Sequence, residues 1–157
     1  MIRAALLIAA ASAALALVAC SAEPESPEAA VRATLAAVET AADERDVDGV
    51  RARISDAYAD ARGNDKAEVV QVAAFHLLRN QAVYTLSRIQ TIDTSEPGFA
   101  AVEMLVALAG SPIDDAEALL RVKADLYRFE VALREEEPGT WRVTAAAWQP
   151  ATLADFR

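Results

Sequence analysis

The chain has 157 residues, 24 acids against 15 Lys and Arg, a formal charge of −9 at pH 7 and one cysteine. That balance excludes nucleic acid as a partner, because phosphate binding needs clustered Lys and Arg. A lone cysteine excludes an internal disulfide, so the fold must hold by packing.

Arg3 gives a short positive start, and Ala4 to Ala19 follow without a charge. The stretch is shorter than the roughly 20 apolar residues a membrane-spanning helix needs, and its flanks predict a secretory signal peptide. Leu17-Val18-Ala19-Cys20 then resembles the lipobox of bacterial lipoprotein signals. The resemblance implies cleavage after residue 19 and a diacylglycerol on the Cys20 sulfur, with acylation (palmitate) on the new amino group. The expected organisation is a leader over 1–19, a lipidated tether over 20–26 and one domain over 27–157. The expected address is the cell envelope, with the membrane held through the Cys20 lipid. Ser21, where an aspartate would retain the protein at the inner membrane, resembles the outer-membrane sorting class in a Gram-negative cell. Every acid follows Cys20, so the domain has no basic surface for lipid and the acyl chains must do the anchoring, at about 0.8 kcal/mol per buried methylene.

Ser26-Pro27-Glu28 is a helix start: a cap, a proline at the first position, an acid in the first turn. Val31, Leu35, Val38 and Ala42 form one apolar stripe on a first helix over 27–44. A shorter helix fits Val47 to Ile54. Gly63 and Asn64 break the chain, and Asp65-Lys66-Ala67-Glu68 has the form of a capping box opening a third helix from Lys66 to Arg79. That helix is apolar most of the way round, so it is expected to be largely buried. Gln81 to Asp93 and Phe99 to Ala109 predict two antiparallel strands across Thr94-Ser95-Glu96-Pro97-Gly98. Ser111 to Leu120 is a loop or short helical insertion. Lys123 to Glu135 and Thr140 to Gln149 predict a second hairpin. An apolar face results if Leu133 pairs with Trp141, Val131 with Val143, Phe129 with Ala145 and Tyr127 with Ala147. The two alanines would then leave room for a helix or a ligand. Helices first and strands after predict an α+β domain, three N-terminal helices packed on a curved antiparallel sheet.

This order, helix, helix, helix, hairpin, hairpin, resembles the nuclear transport factor 2-like (cystatin-like) superfamily over about Ser26 to Gln149. The stretches Ile54 to Asp65 (ISDAYADARGND), Leu86 to Ile89, Ala124 to Phe129 and Trp141 to Val143 resemble a group of uncharacterised bacterial proteins in it. The resemblance implies a cone with a pocket at its open end, and a fold shared by isomerases, dehydratases, hydrolases and plain binding modules.

His76, the one histidine, is a candidate general base near neutral pH. A lone histidine in an apolar helix is more often a packed residue. Asp56, Asp60 and Asp65 with Tyr58 form an acid-rich loop, but its spacing fails calcium-loop patterns and Arg62 would oppose a cation, so no metal is expected. Tyr84, Tyr127, Phe129 and Trp141 are, with His76, candidate pocket-lining residues; Arg88 and Arg128 read as outer-face charges. Strand parity places Glu103 on the face opposite Val102 and Met104. No thiol nucleophile, Ser-His-acid set or glycine-rich phosphate loop can be assembled, and no cofactor is expected. The leading expectation is a lipid-anchored, non-enzymatic module that binds a small apolar ligand or an envelope protein. The alternative is an isomerase or lyase with a pocket His or acid as base. Apolar residues on both faces of the first hairpin (Leu86 and Ile92 against Val83 and Ile89) add a homodimer through the sheet.

Overall fold

A computed structural model describes residues 26–156. The expected leader, Cys20 and the expected tether up to residue 25 lie outside the described residues, as does residue 157. Helix α1 runs Pro27–Asp43, α2 Val47–Ala52 and α3 Lys66–Arg79; strands β1 Tyr84–Asp93, β2 Phe99–Ala109, β3 Ala124–Glu137 and β4 Thr140–Pro150 follow. The strands form one antiparallel sheet in the order β1-β2-β3-β4. The fold is therefore α+β as expected, three helices on a curved open sheet. No helix among the described residues is long and apolar enough to cross a membrane.

The helix starts follow from local chemistry. Ser26 accepts the Ala29 N–H at 3.2 Å, with Pro27 at the first turn. Asp65 accepts from Glu68 N at 2.9 Å while the Glu68 carboxylate accepts from Asp65 N at 2.8 Å, closing the capping box. The α1 stripe faces the sheet, with Val31 and Leu35 buried and Ala42 packed beside them. Helix α1 crosses the concave face and touches both edge strands, β1 and β4.

Helix α3 is less buried than its composition predicts. Only Val70 and Leu77 are buried, while Phe75 is 59% and Leu78 57% exposed. One face meets α2 and the cavity; the rest finds no layer above it. Its C-terminal carbonyls are held from outside the helix. Arg45, at a left-handed φ of 57°, donates to Leu77 O at 3.1 Å and Leu78 O at 3.5 Å and, past the helix end, to Gln81 O at 3.1 Å.

The second hairpin corrects the expected register. Its turn is Pro138-Gly139, with Gly139 at φ 75°, between paired Glu137 and Thr140. Leu133 pairs with Val143, and Glu135 with Trp141. A bulge at Thr144 then reverses the parity of β4, so that Val131 meets Ala146, Phe129 meets Trp148 and Tyr127 meets Pro150. The extra residue bends β4 and aims Trp148 inward. Ala145 and Ala147 line the outer face instead of making room inside. A second bulge at Gln90 bends β1 between Ile89 and Thr91. The two bends fall in the edge strands that α1 bridges.

The free edge of β4 is closed by the chain after α2. Val143 N donates to Arg53 O and Ser55 N to Val143 O, both at 2.9 Å, and Ala59 N to Thr144 O at 3.0 Å. Ser55, fully buried, donates to Glu136 Oε1 at 2.5 Å, and Glu136 pairs with Arg142 at 2.9 Å. Arg142 donates in turn to Ala52 O.

The outer face carries its own small core. Leu105, Ala107 and Ala109 of β2 lie under Ile113, Leu119 and Phe156. Arg88 donates to Phe156 O at 2.6 Å, and Arg128 pairs with Asp155 at 2.8 Å. Arg128 thus lies on the outer face and meets the C-terminal turn. The apolar outer patch of the first hairpin is covered by this chain's own residues.

Candidate functional site

Between the helices and the concave sheet lies a cavity of about 270 Å³, close to the small end of ligand pockets. Leu35, Val38 and Ala42 of α1 and Val69, Val72 and Ala73 of α3 make its roof. Met104, Val106 and Leu108 of β2 make its floor, and Tyr127, Phe129 and Val131 of β3 with Val143, Ala146 and Trp148 of β4 its far wall. Phe129 stacks on Trp148 with centroids 6.0 Å apart, and Tyr127 meets Phe129 edge-on at 6.2 Å. The Arg62 guanidinium sits 4.3 Å from the Trp148 ring and donates to Trp148 O at 3.0 Å. Trp148 is thus clamped between an inner ring and an outer cation.

Few polar groups reach the cavity. Glu39 of α1 accepts from Ser87 Oγ at 2.5 Å and from Ser87 N at 3.3 Å. Thr85 lies one inward position away on β1. Its N–H donates to Asp43 Oδ1 at 2.7 Å, while its buried Oγ1 has no hydrogen-bond partner. No cationic side chain among the described residues pairs with Glu39. Helix α1 puts these acids here because Glu39 and Asp43 are four residues apart on one face, over β1.

Of the candidate pocket residues, His76, Tyr127 and Phe129 stand at the cavity wall. His76 is otherwise exposed, edge-on to Phe75 at 5.7 Å. Trp141 is buried in the main core instead, and Tyr84 is 37% exposed on the other side of β1. The register explains Trp141: it precedes the Thr144 bulge and points inward near the turn, away from the open end. Trp148 takes the place in the wall that sequence reasoning gave to Trp141. Glu39 and Ser87 were missed; the signal available was one acid in the Leu35, Val38, Ala42 stripe. Glu103, as parity predicted, faces the outer side.

The acid-rich loop is internally satisfied. Asp60 accepts from Arg62 N at 2.9 Å, from Asn64 N at 3.0 Å, from Asn64 Nδ2 at 2.9 Å and from Tyr58 OH at 3.1 Å. The Asn64 side chain, more than any other neighbour, holds the Asp60 carboxyl below its ordinary range. Burial, then Asp60 itself, pushes the Tyr58 hydroxyl up to about 12. Asp56 pairs with Lys66 at 2.7 Å, and that hydrogen bond lowers its pKa. No group of three or more His, Cys, Asp or Glu among the described residues could hold a metal ion.

No protein-family model matches the chain, and no curated protein matches it in sequence. Solved structures do resemble it. A ketosteroid isomerase-like protein from Erwinia carotovora atroseptica has TM-score 0.58 and 17% identity, over 79% of this chain and 95% of that one. A protein named as a candidate dehydratase of the nuclear transport factor 2-like family, from Streptomyces avermitilis, has TM-score 0.60 and 14% identity, over 78% and 94%. An uncharacterised Caulobacter vibrioides protein with a cystatin-like fold has TM-score 0.57 and 17% identity, over 78% and 88%. Identities this low carry the fold and nothing finer: the described domain has the nuclear transport factor 2-like, or cystatin-like, fold.

Proposed function

We propose that the protein is a lipid-anchored module of the cell envelope whose cone binds a small, largely apolar ligand. The observation that carries the binding half is the cavity: aliphatic roof, aromatic far wall, one polar corner at Glu39 and Ser87. Burial of apolar ligand surface there contributes about 25 cal/mol per Å² before binding costs are met. The anchoring half rests on the Leu17-Val18-Ala19-Cys20 pattern. An envelope protein docking at the exposed Phe75 and Leu78 of α3 is the other form a binding module could take.

Titration with N-phenyl-1-naphthylamine tests the cavity. Its fluorescence should rise on binding, and Trp148 emission should fall by energy transfer. Trp148→Ala should weaken binding by about tenfold, a loss of about 1.4 kcal/mol. No fluorescence change would remove the reading. For the anchor, cells fed a clickable palmitate analogue should label the protein, and Cys20→Ser should abolish the label.

The second reading is an isomerase or lyase. What favours it is the Glu39 carboxylate at the wall of an apolar cavity, where a base would stand. Hydrogen–deuterium exchange into a small cyclic ketone, accelerated by the wild type but not by Glu39→Gln, would favour it over plain binding.

A further inference from the structure

The polar corner of the cavity is chemically one-sided. Glu39 brings a half-buried carboxylate with no cation beside it among the described residues. Ser87 supplies its two protein donors, one to each oxygen, and leaves lone pairs on both. Asp43, exposed and outside the cavity lining, holds the neighbouring Thr85 N–H from one helix turn further on. Thr85 Oγ1, buried and unpartnered one inward position from Ser87, adds acceptor lone pairs and a hydroxyl that can turn either way. Every other described wall is aliphatic or aromatic, apart from the Tyr58 and Tyr127 hydroxyls and the His76 ring. The Tyr58 hydroxyl is already committed to Asp60.

We propose that this corner is the recognition point of the cavity and that its ligand class is an apolar amine, protonated at neutral pH. The inference rests on the binding reading above and specifies it. An ammonium group is all donors, and this corner is mostly acceptors. It supplies the positive charge that Glu39 lacks, in a setting where water screens the pair less than at an open surface. The hydrocarbon part then lies along Val106, Phe129 and Trp148. A carboxylate head would meet Glu39 with the same sign. An alcohol would make one hydrogen bond to Glu39 with no charge pairing.

Three eight-carbon compounds separate the classes: octylamine, octanol and octanoate, each displacing N-phenyl-1-naphthylamine from the purified domain at neutral pH. Octylamine should displace it at about tenfold lower concentration than octanol, equivalent to about 1.4 kcal/mol, and octanoate should be weakest. Glu39→Gln keeps the size and can keep a bond to Ser87. It should bring octylamine to the level of octanol, while octanol, whose hydrogen bond the Gln amide can still make, changes by much less than the amine. Ser87→Ala frees a Glu39 lone pair and should keep or raise the amine preference, which guards against a Glu39→Gln variant that merely misfolds. Equal displacement by amine and alcohol, or an amine preference that survives Glu39→Gln, overturns the proposal and leaves the apolar-cavity reading standing. Failure of the naphthylamine probe itself to bind overturns both.

Discussion

Asp60 shows how much one side chain can organise. Its two oxygens take four hydrogen bonds from Tyr58, Arg62 and Asn64. They hold the loop from which Arg62 reaches Trp148. Sequence reading placed Asp60 in an acid-rich loop; it had no means to connect that loop to the cavity wall. Two pH effects follow. Asp56, Asp60, Asp93 and Asp155 all hold their protons less tightly folded than unfolded. As pH falls through the ordinary aspartate value of 3.8 the unfolded chain gains protons first, so stability falls from there downward. Tyr58 has the opposite sign. Its folded value of about 12 lies above the ordinary 10, so its contribution is intact below pH 10 and lost on rising toward 12. Thermal melting across both windows checks this. Tyr58→Phe should cost about 1 kcal/mol at neutral pH and flatten the alkaline limb relative to wild type.

At the scale of elements, the helix starts are local events and the strand register is not. Ser26 and Asp65 cap α1 and α3 with residues within three positions of themselves, so their chemistry is visible in a few letters. Asp65→Ala removes the side-chain half of the α3 box, the acceptor for Glu68 N, while the Glu68 carboxylate keeps the backbone N–H of residue 65; the loss should be about 1 kcal/mol in chemical denaturation, and a change under a few tenths would show that half to be idle. The register of β3 and β4 depends instead on the bulge at Thr144. Nothing in Thr144 itself announces a bulge. At the free edge the carbonyls of the successive residues Val143 and Thr144 both accept from the strap, at Ser55 N and Ala59 N. Two consecutive carbonyls turned to the same edge are the bulge itself, and the residues after it face the other way. That rotation exchanged Trp141 for Trp148 in the cavity wall. The over-estimate of α3 burial has a similar source: composition reports how apolar a helix is, not how many layers are available to cover it.

For the whole molecule, the sheet has two covered regions rather than one. The concave side holds the main core and the cavity. The convex side is closed by the 110–123 connection and the C-terminal turn over Leu105 and Ala107. Phe156 is 2% exposed and fills that second core, so Phe156→Ala should cost about 3–5 kcal/mol in denaturation. It should also expose enough apolar surface to raise the mass in size-exclusion chromatography. The uncovered remainder of the convex face is lined by Thr91, Asp93, Ala101, Glu103 and Glu130. A homodimer through the sheet would have to use that acidic surface, and a monomeric mass for the purified wild-type domain would remove that proposal.

The sequence alone determined the order of elements, the helix caps, the α+β class and the parity that turns Glu103 outward. Each rests on interactions within a few residues or on a single repeating period. Tertiary structure decided which aromatic residues face the cavity, that Glu39 stands at its polar corner beside Ser87 and Thr85, and that the second apolar face is closed by the chain's own C-terminal turn. Those outcomes depend on groups tens of residues apart meeting across α1, β1 and β4. A hydrophobic pattern records only that a residue is to be buried, and the partner that buries it is chosen when the layers close.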